Sequence, residues 1–467
     1  MINTAEEFRR HPPAPLAPRS LKLPEPIEMT LSNGVRLVVV EDLRLPLVNF
    51  RLAIGRGTSL DPIELPGLTD MTIGQLTEGT SGDTARTSRQ IADEVARLGA
   101  TLSADANSDY LVVAASALKA FENQILHLMA DVALRPSFPT EELELAKRNT
   151  IEGLALQRSQ PSFLATERTA RAIYGEHPYG VVSPTPEAVA ALTRENLVEH
   201  HRALLVPTGA VFIAIGDVDA EALRETLEGL FGADAWQASE PRETKFPAAP
   251  ESGATTLYLV DRRGSQQTNI VIANPSIKRS DPDYFALLLM NTILGANASS
   301  RVFMNLREDK GYTYGAYTSL DARREAGSFR ASAEVRVDVT GDALREFFYE
   351  LNRIRDEDVT DEELADAKAY LTGVFPIRLE TQEGLISQLV NIKMYDLPAD
   401  HLDTYREHVT RITKEDVRRV ASRHITPERA SIIIVGDAEA TRAQIAGYAE
   451  RIEVYDTHGV KQNRTPK

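Results

Sequence analysis

The chain repeats itself. From Thr193 it reads TRENLVEHHRALLVPTGAVFIAIGD and from Thr413 TKEDVRRVASRHITPERASIIIVGD, an offset of 220 residues at which Pro207 and Pro427, Gly216 and Gly436, and Asp217 and Asp437 coincide without a gap. Each segment opens on a Thr-x-Glu helix start, runs through a polar helix, breaks at proline and continues as a β-branched strand ending in Gly-Asp. A correspondence of this length indicates internal duplication, so whatever one half folds into, the other half resembles. The 467 residues exceed one ordinary core and suit two domains of roughly 200 residues each.

The starts of the halves match more loosely. NGVRLVVVEDLRLPLVNFRLAIGRGT, from Asn33, reads as a turn and two strands, and TTLYLVDRRGSQQTNIVIANPSI, from Thr255, as a second strand pair leading to a helix. Strands mixed with runs of helices predict an α+β fold made twice, each domain a mostly antiparallel sheet covered by helices on one face. The expected divisions are a proline-rich extended arm over 1–26, a first domain over 27–232, a Pro- and Ala-rich linker over 233–254, a second domain over 255–453 and a tail over 454–467.

Composition narrows the chemistry. Hydrophobic residues at 42% and charged residues at 26% predict a soluble globular protein, and no apolar run reaches the length of a membrane span. A net charge of −16 argues against nucleic-acid and anionic-membrane partners, which carry the same sign. The absence of cysteine removes disulfides, thiolate nucleophiles and cysteine-ligated zinc. The first residues lack the apolar core of a signal peptide, which leaves a cytoplasmic protein or a mature periplasmic form. No serine sits in a recognisable nucleophile motif, and GANASSR lacks the ending of a phosphate loop.

The helix after the first strand pair, PGLTDMTIGQLTEGT from Pro66 to Thr80, carries the frame Gly67, Leu68, Gly79 and Thr80. In this the chain resembles the insulinase and mitochondrial-processing-peptidase superfamily, the inverzincins, whose corresponding helix holds His-x-x-Glu-His. In that motif two histidines four apart bind one zinc ion and the glutamate acts as general base. The resemblance places Asp70, Ile73 and Gly74 at the three positions. The family's third ligand, a glutamate on a later helix, falls on Gly153, or on Glu152 with a one-residue slip. The nine histidines contain no pair spaced by four. His200 and His201 are expected on the solvated surface, and His177, in the turn YGEHPYG, as a turn hydrogen-bonder.

NTILGANASSRVFMNLREDKGYTYGAYTSL, from Asn291, is similar to the family's second-domain signature. There the resemblance implies that Arg307, and Tyr314 seven residues on, reach across to a zinc-bound substrate. Chemistry gives the pair a use: a guanidinium can hold carbonyl oxygens with two donors, and a phenol can donate to a developing oxyanion. Val302, Phe303 and Leu306 form the expected buried stripe of the helix, Lys310 complements its C-terminal dipole and Gly311 is its expected stop. Strand alternation predicts Tyr312 and Tyr314 on one face and Tyr317 on the other. Family members bind substrate as an added strand at an edge that often carries Asn-Ala, where this chain offers Ser103 and Ala104.

The resemblance therefore implies a non-catalytic subunit that binds no cofactor itself. It would pair, as a heterodimer, with a His-x-x-Glu-His homologue supplying zinc, and would act on peptides in a shared chamber. The alternative is a structural or peptide-binding protein of the same fold without catalysis.

Overall fold

In the computed structural model, residues 23–237, 244–250 and 253–462 are described. Most of the expected arm, parts of the expected linker and the last five residues of the expected tail lie outside them. Each half builds one six-stranded sheet. The first is ordered β1(Ile27–Thr30), β2(Arg36–Glu41), β6(Val211–Gly216), β3(Leu47–Ile54), β5(Leu111–Leu118), β4(Thr101–Ala106). The second is ordered β12(Arg451–Tyr455), β7(Thr256–Asp261), β11(Ser431–Gly436), β8(Gln267–Ser276), β10(Gly327–Arg336), β9(Thr313–Ala322).

The repeated segment occupies the same place in both. Thr193 and Thr413 close capping boxes with Asn196 and Asp416, starting the helices Arg194–Leu204 and Lys414–His424. The strands that follow, β6 and β11, lie parallel to β2 and β7 and antiparallel to β3 and β8. Strand β6 is buried at every position, which is why it reads as a continuous apolar run. The sixth strand comes from opposite chain ends: β1 joins β2 antiparallel, whereas β12 joins β7 parallel. Strand β12 runs to Tyr455, two residues into the segment expected to be tail.

Alternation along the strands divides them between two cores. Phe50, Leu52 and Ile54 pack with Ile125, Met129 and Leu197 of helices from the same half, as Ile270 and Ile272 do with Leu287, Met290 and Val417 in the second. The opposite faces are covered by exchange, which the sequence reading did not anticipate. Val38, Ala53, Ile213 and Ile215 of the first sheet meet Phe375, Ile386 and Val390 from the second-half helices Asp361–Leu379 and Gln382–Met394. Val260, Val271, Ile433 and Val435 of the second sheet meet Leu164, Ile173 and Tyr174 of the first-half helix Pro161–Tyr174. Among the described residues, no helix is long and apolar enough to cross a membrane.

Turns from the two halves meet on one buried carboxylate. Asp109, 4% exposed, accepts a hydrogen bond from the phenol of Tyr179 and, at 3.1 Å, from the backbone amide of Arg324. The Arg324 guanidinium donates to the carbonyls of Gly55 at 2.9 Å and Met394 at 2.7 Å. Burial, followed by the Asp109 acceptor and its charge, pushes the Tyr179 phenol far up.

Candidate functional site

The frame helix is held from its N-terminus. Asp61 accepts from the amides of Gly67 (2.7 Å) and Thr69 (2.8 Å) and from Thr69 Oγ1 (2.6 Å), satisfying donors that a helix start leaves open. Gly67 has φ 87°, and a Cβ there would stand 2.9 Å from Pro184 Cγ, so glycine is required at this entry to the helix Leu68–Gly74. His200 Nε2 lies 2.7 Å from Thr69 Oγ1 and completes the anchor. His200 is only 9% exposed, and His201 is part-buried with Nε2 2.8 Å from the carbonyl of Ala133. Burial lowers the His201 pKa. Neither histidine is on the solvated surface, contrary to expectation. The signal was present: Leu197, His200, His201 and Leu204 follow the spacing of one buried helix face.

On that helix Asp70 is solvent-accessible, Ile73 is 1% exposed in the first core and Gly74 is exposed. Protein crowding, then the charge of Asp61, moves the Asp70 carboxyl upward toward about 6. Gly153 is part-buried and Glu152 exposed on the helix Thr140–Arg158. One carboxylate, an aliphatic side chain packed inward and a residue without a side chain do not make a zinc site. No three His, Asp or Glu side chains cluster as metal ligands among the described residues.

Arg307 and Tyr314 flank one turn. The helix begins at Arg301–Phe303 and widens into a π-helix over Met304–Asp309, where the Lys310 amide donates to the Asn305 carbonyl five residues back at 3.0 Å. Gly311, φ 63°, turns the chain as expected, and the Tyr312 amide returns to the Leu306 carbonyl at 2.9 Å. Val302, Phe303 and Leu306 are buried. Below the π-turn, Arg301 binds Glu363 with two donors at 2.6 and 2.9 Å, and Asn305 donates to Glu350 at 2.9 Å. Against the upward pull of burial, Arg301 and the Thr360 amide hold the Glu363 carboxyl down at about 2. The sequence reading missed these anchors, because nothing local announces a contact over 62 or 45 residues.

The strand after the turn is bulged. Thr313 opposes Val335 and Ala316 opposes Ala333, so Tyr314 and Gly315 together face the single residue Glu334. The extra residue resets the alternation. Tyr314 and Tyr317 are therefore both exposed, at 91% and 47%, rather than on opposite faces, and Tyr312 packs against the second core. Among the described residues Arg307 pairs with its neighbour Glu308 at 2.6 Å, and the Tyr314 hydroxyl has no partner. A guanidinium and a phenol thus lie on either side of one turn, the phenol exposed and the guanidinium half-buried, with donors left over on both.

Ser103 and Ala104 lie on β4, the outermost strand of the first sheet, exposed and part-buried respectively. Strand β9, with Tyr314, is the corresponding outermost strand of the second. His177 Nδ1 accepts from the Tyr179 amide at 3.1 Å, the turn role expected for it.

Comparison with known proteins identifies the family. Residues 37–183 match the insulinase (peptidase family M16) domain, and residues 191–371 match the peptidase M16 inactive domain. An uncharacterized zinc protease of Bacillus subtilis is 22% identical over 411 residues, covering 87% of this chain and 97% of that protein. A Helicobacter pylori protein named a non-peptidase homolog is 20% identical over 407 residues, covering 86% and 92%. The crystal structure of a peptidase M16 inactive domain from Pseudomonas fluorescens superposes with a TM-score of 0.81 at 25% identity, covering 88% of this chain and 98% of that one. The chain belongs to the insulinase family, peptidase family M16. It is a member without the His-x-x-Glu-His motif.

Proposed function

We propose that this chain is the non-catalytic subunit of a heterodimeric zinc endopeptidase. A homologue carrying His-x-x-Glu-His supplies metal and general base. This chain supplies half of the peptide chamber, with Arg307 binding substrate carbonyl oxygens and Tyr314 donating to the oxyanion. The observation that carries the reading is the exposed Tyr314, its hydroxyl without a partner among the described residues, across one turn from Arg307 in a chain that lacks His-x-x-Glu-His. A packing role would bury the phenol, whereas one that serves a partner's substrate has to project. Ser103 and Ala104, on the open edge of β4, are proposed to pair with extended peptide through the backbone.

The test is co-expression with a His-x-x-Glu-His homologue and cleavage of a quenched fluorescent peptide. Activity that requires both chains and falls with Arg307→Ala and Tyr314→Phe supports the reading. A second reading, a peptide-binding or structural protein without catalysis, has the Helicobacter pylori relative's name in its favour. It predicts no cleavage with any such homologue and no effect of either substitution beyond stability.

A further inference from the structure

Where the halves meet, the loop after β3 is pressed onto the β4–β5 turn. A Cβ on Gly57 would stand 2.1 Å from the Asn107 carbonyl oxygen, which accepts the Thr58 amide at 2.8 Å. This fixes the neighbouring Arg56 at a cavity of about 200 Å³ that it lines with Asp109, Tyr179, Phe246, Arg324 and Glu325.

Among the described residues the Arg56 guanidinium has no hydrogen bond and no ion pair, and its Nε is cut off from solvent. Burial alone lowers its pKa, and no carboxylate opposes the shift. Arg324 also has no acceptor for Nε, its other nitrogens being spent on the Gly55 and Met394 carbonyls. Asp109 is committed to the Tyr179 phenol and the Arg324 amide, and Glu325 is exposed. Two cations therefore line one cavity, and among the described residues no carboxylate forms an ion pair with either. Arg56 is half-buried with its terminal nitrogens unpaired at the cavity, and a planar guanidinium matches a carboxylate with two donors.

We propose that this cavity binds a small monocarboxylate through Arg56, tying the first-half loop to the second-half turn that carries Arg324. The volume equals roughly six or seven waters at ~30 Å³ each, enough for a carboxylate of a few heavy atoms or for the terminal carboxylate of a peptide. The acid of Glu325 beside the cavity disfavours dianions. This inference is independent of any pairing with a peptidase.

The test uses the full chain. Thermal unfolding in sodium acetate, against sodium chloride at equal ionic strength, is expected to rise by about 2 °C or more in the wild type and not in Arg56→Gln. Equal shifts in both proteins, or none in the wild type, overturn the proposal. Should Arg56→Gln fail to fold, Arg56→Lys, which keeps the charge without the two-donor fork, is expected to lose most of the acetate shift, and an undiminished shift overturns the proposal. A tetra-alanine peptide with a free terminus, compared with its amide, separates the sources. Tighter binding of the free form than of acetate identifies a chain terminus, and binding of acetate alone identifies a free acid.

Discussion

Arg324 Nη1 donates to the carbonyl of Gly55 at 2.9 Å across 269 positions of sequence. The same residue's amide shares Asp109 with the Tyr179 phenol, so one buried carboxylate gathers both halves. Replacing Tyr179 by Phe leaves Asp109 short of a donor in a dry place. The expected cost is about 1–3 kcal/mol, measured as a lower urea midpoint with unchanged slope. An unaltered midpoint would remove Asp109 from its tying role.

Arg307 and Tyr314 should be separable from stability. Tyr314 is exposed and Arg307 is half-buried with only a surface ion pair to Glu308, so Arg307→Ala and Tyr314→Phe are expected to change unfolding free energy by no more than about 0.5 kcal/mol. In the proposed two-chain enzyme each is expected to lower turnover by about 100-fold or more, the scale for removing one transition-state donor. Calorimetry beside peptide turnover decides it: activity lost in step with structure would point to packing instead.

Two of the positions that the family resemblance aligns with metal ligands make an opposite pair of predictions. A Cβ on Gly153 meets nothing within 4 Å inside the helix Thr140–Arg158, so Gly153→Ala is expected to stabilise by about 0.5–1 kcal/mol. Ile73→Glu would bury a carboxylate at a position 1% exposed, and a loss of about 3 kcal/mol or more is expected. Chemical denaturation of both variants checks the signs.

Stability should fall in mild acid through His401. Arg279 Nη2 and His401 Nε2 lie 3.3 Å apart, and that donor requires the ring to accept in its neutral form. Burial, then Arg279 and His408, hold its pKa down at about 4 against 6.5 when unperturbed. The unfolded chain takes up the proton first, so this contribution is complete above pH 6.5 and is lost as pH falls toward about 4. Unfolding free energy measured across that window should slope less in His401→Gln than in the wild type.

Much of the fold was legible because duplication writes the same elements twice. Thr193 and Thr413 announced their helices, and the β-branched runs of β6 and β11 announced strands. What covers the second face was not legible. The helix Pro161–Tyr174 gives no hint in its own residues that Ile173 packs on Ile433 rather than on its own half. At the site, Arg307 and Tyr314 were singled out by the family resemblance, and a single extra residue opposite Glu334 rotated Tyr314 to the side of Tyr317. A bulge changes parity without changing composition, so alternation alone misassigns every residue before it.

The crossed helices mean that neither half owns a complete interior. A fragment ending before β7 would leave Ile213 and Ile215 bare, and one starting there would leave Val271 and Ile433 bare. Severing the chain between them would therefore yield two interlocked pieces that stay together, and heat should melt them as a single unit. Any ancestor with one half alone would have needed a second copy of itself to stay folded.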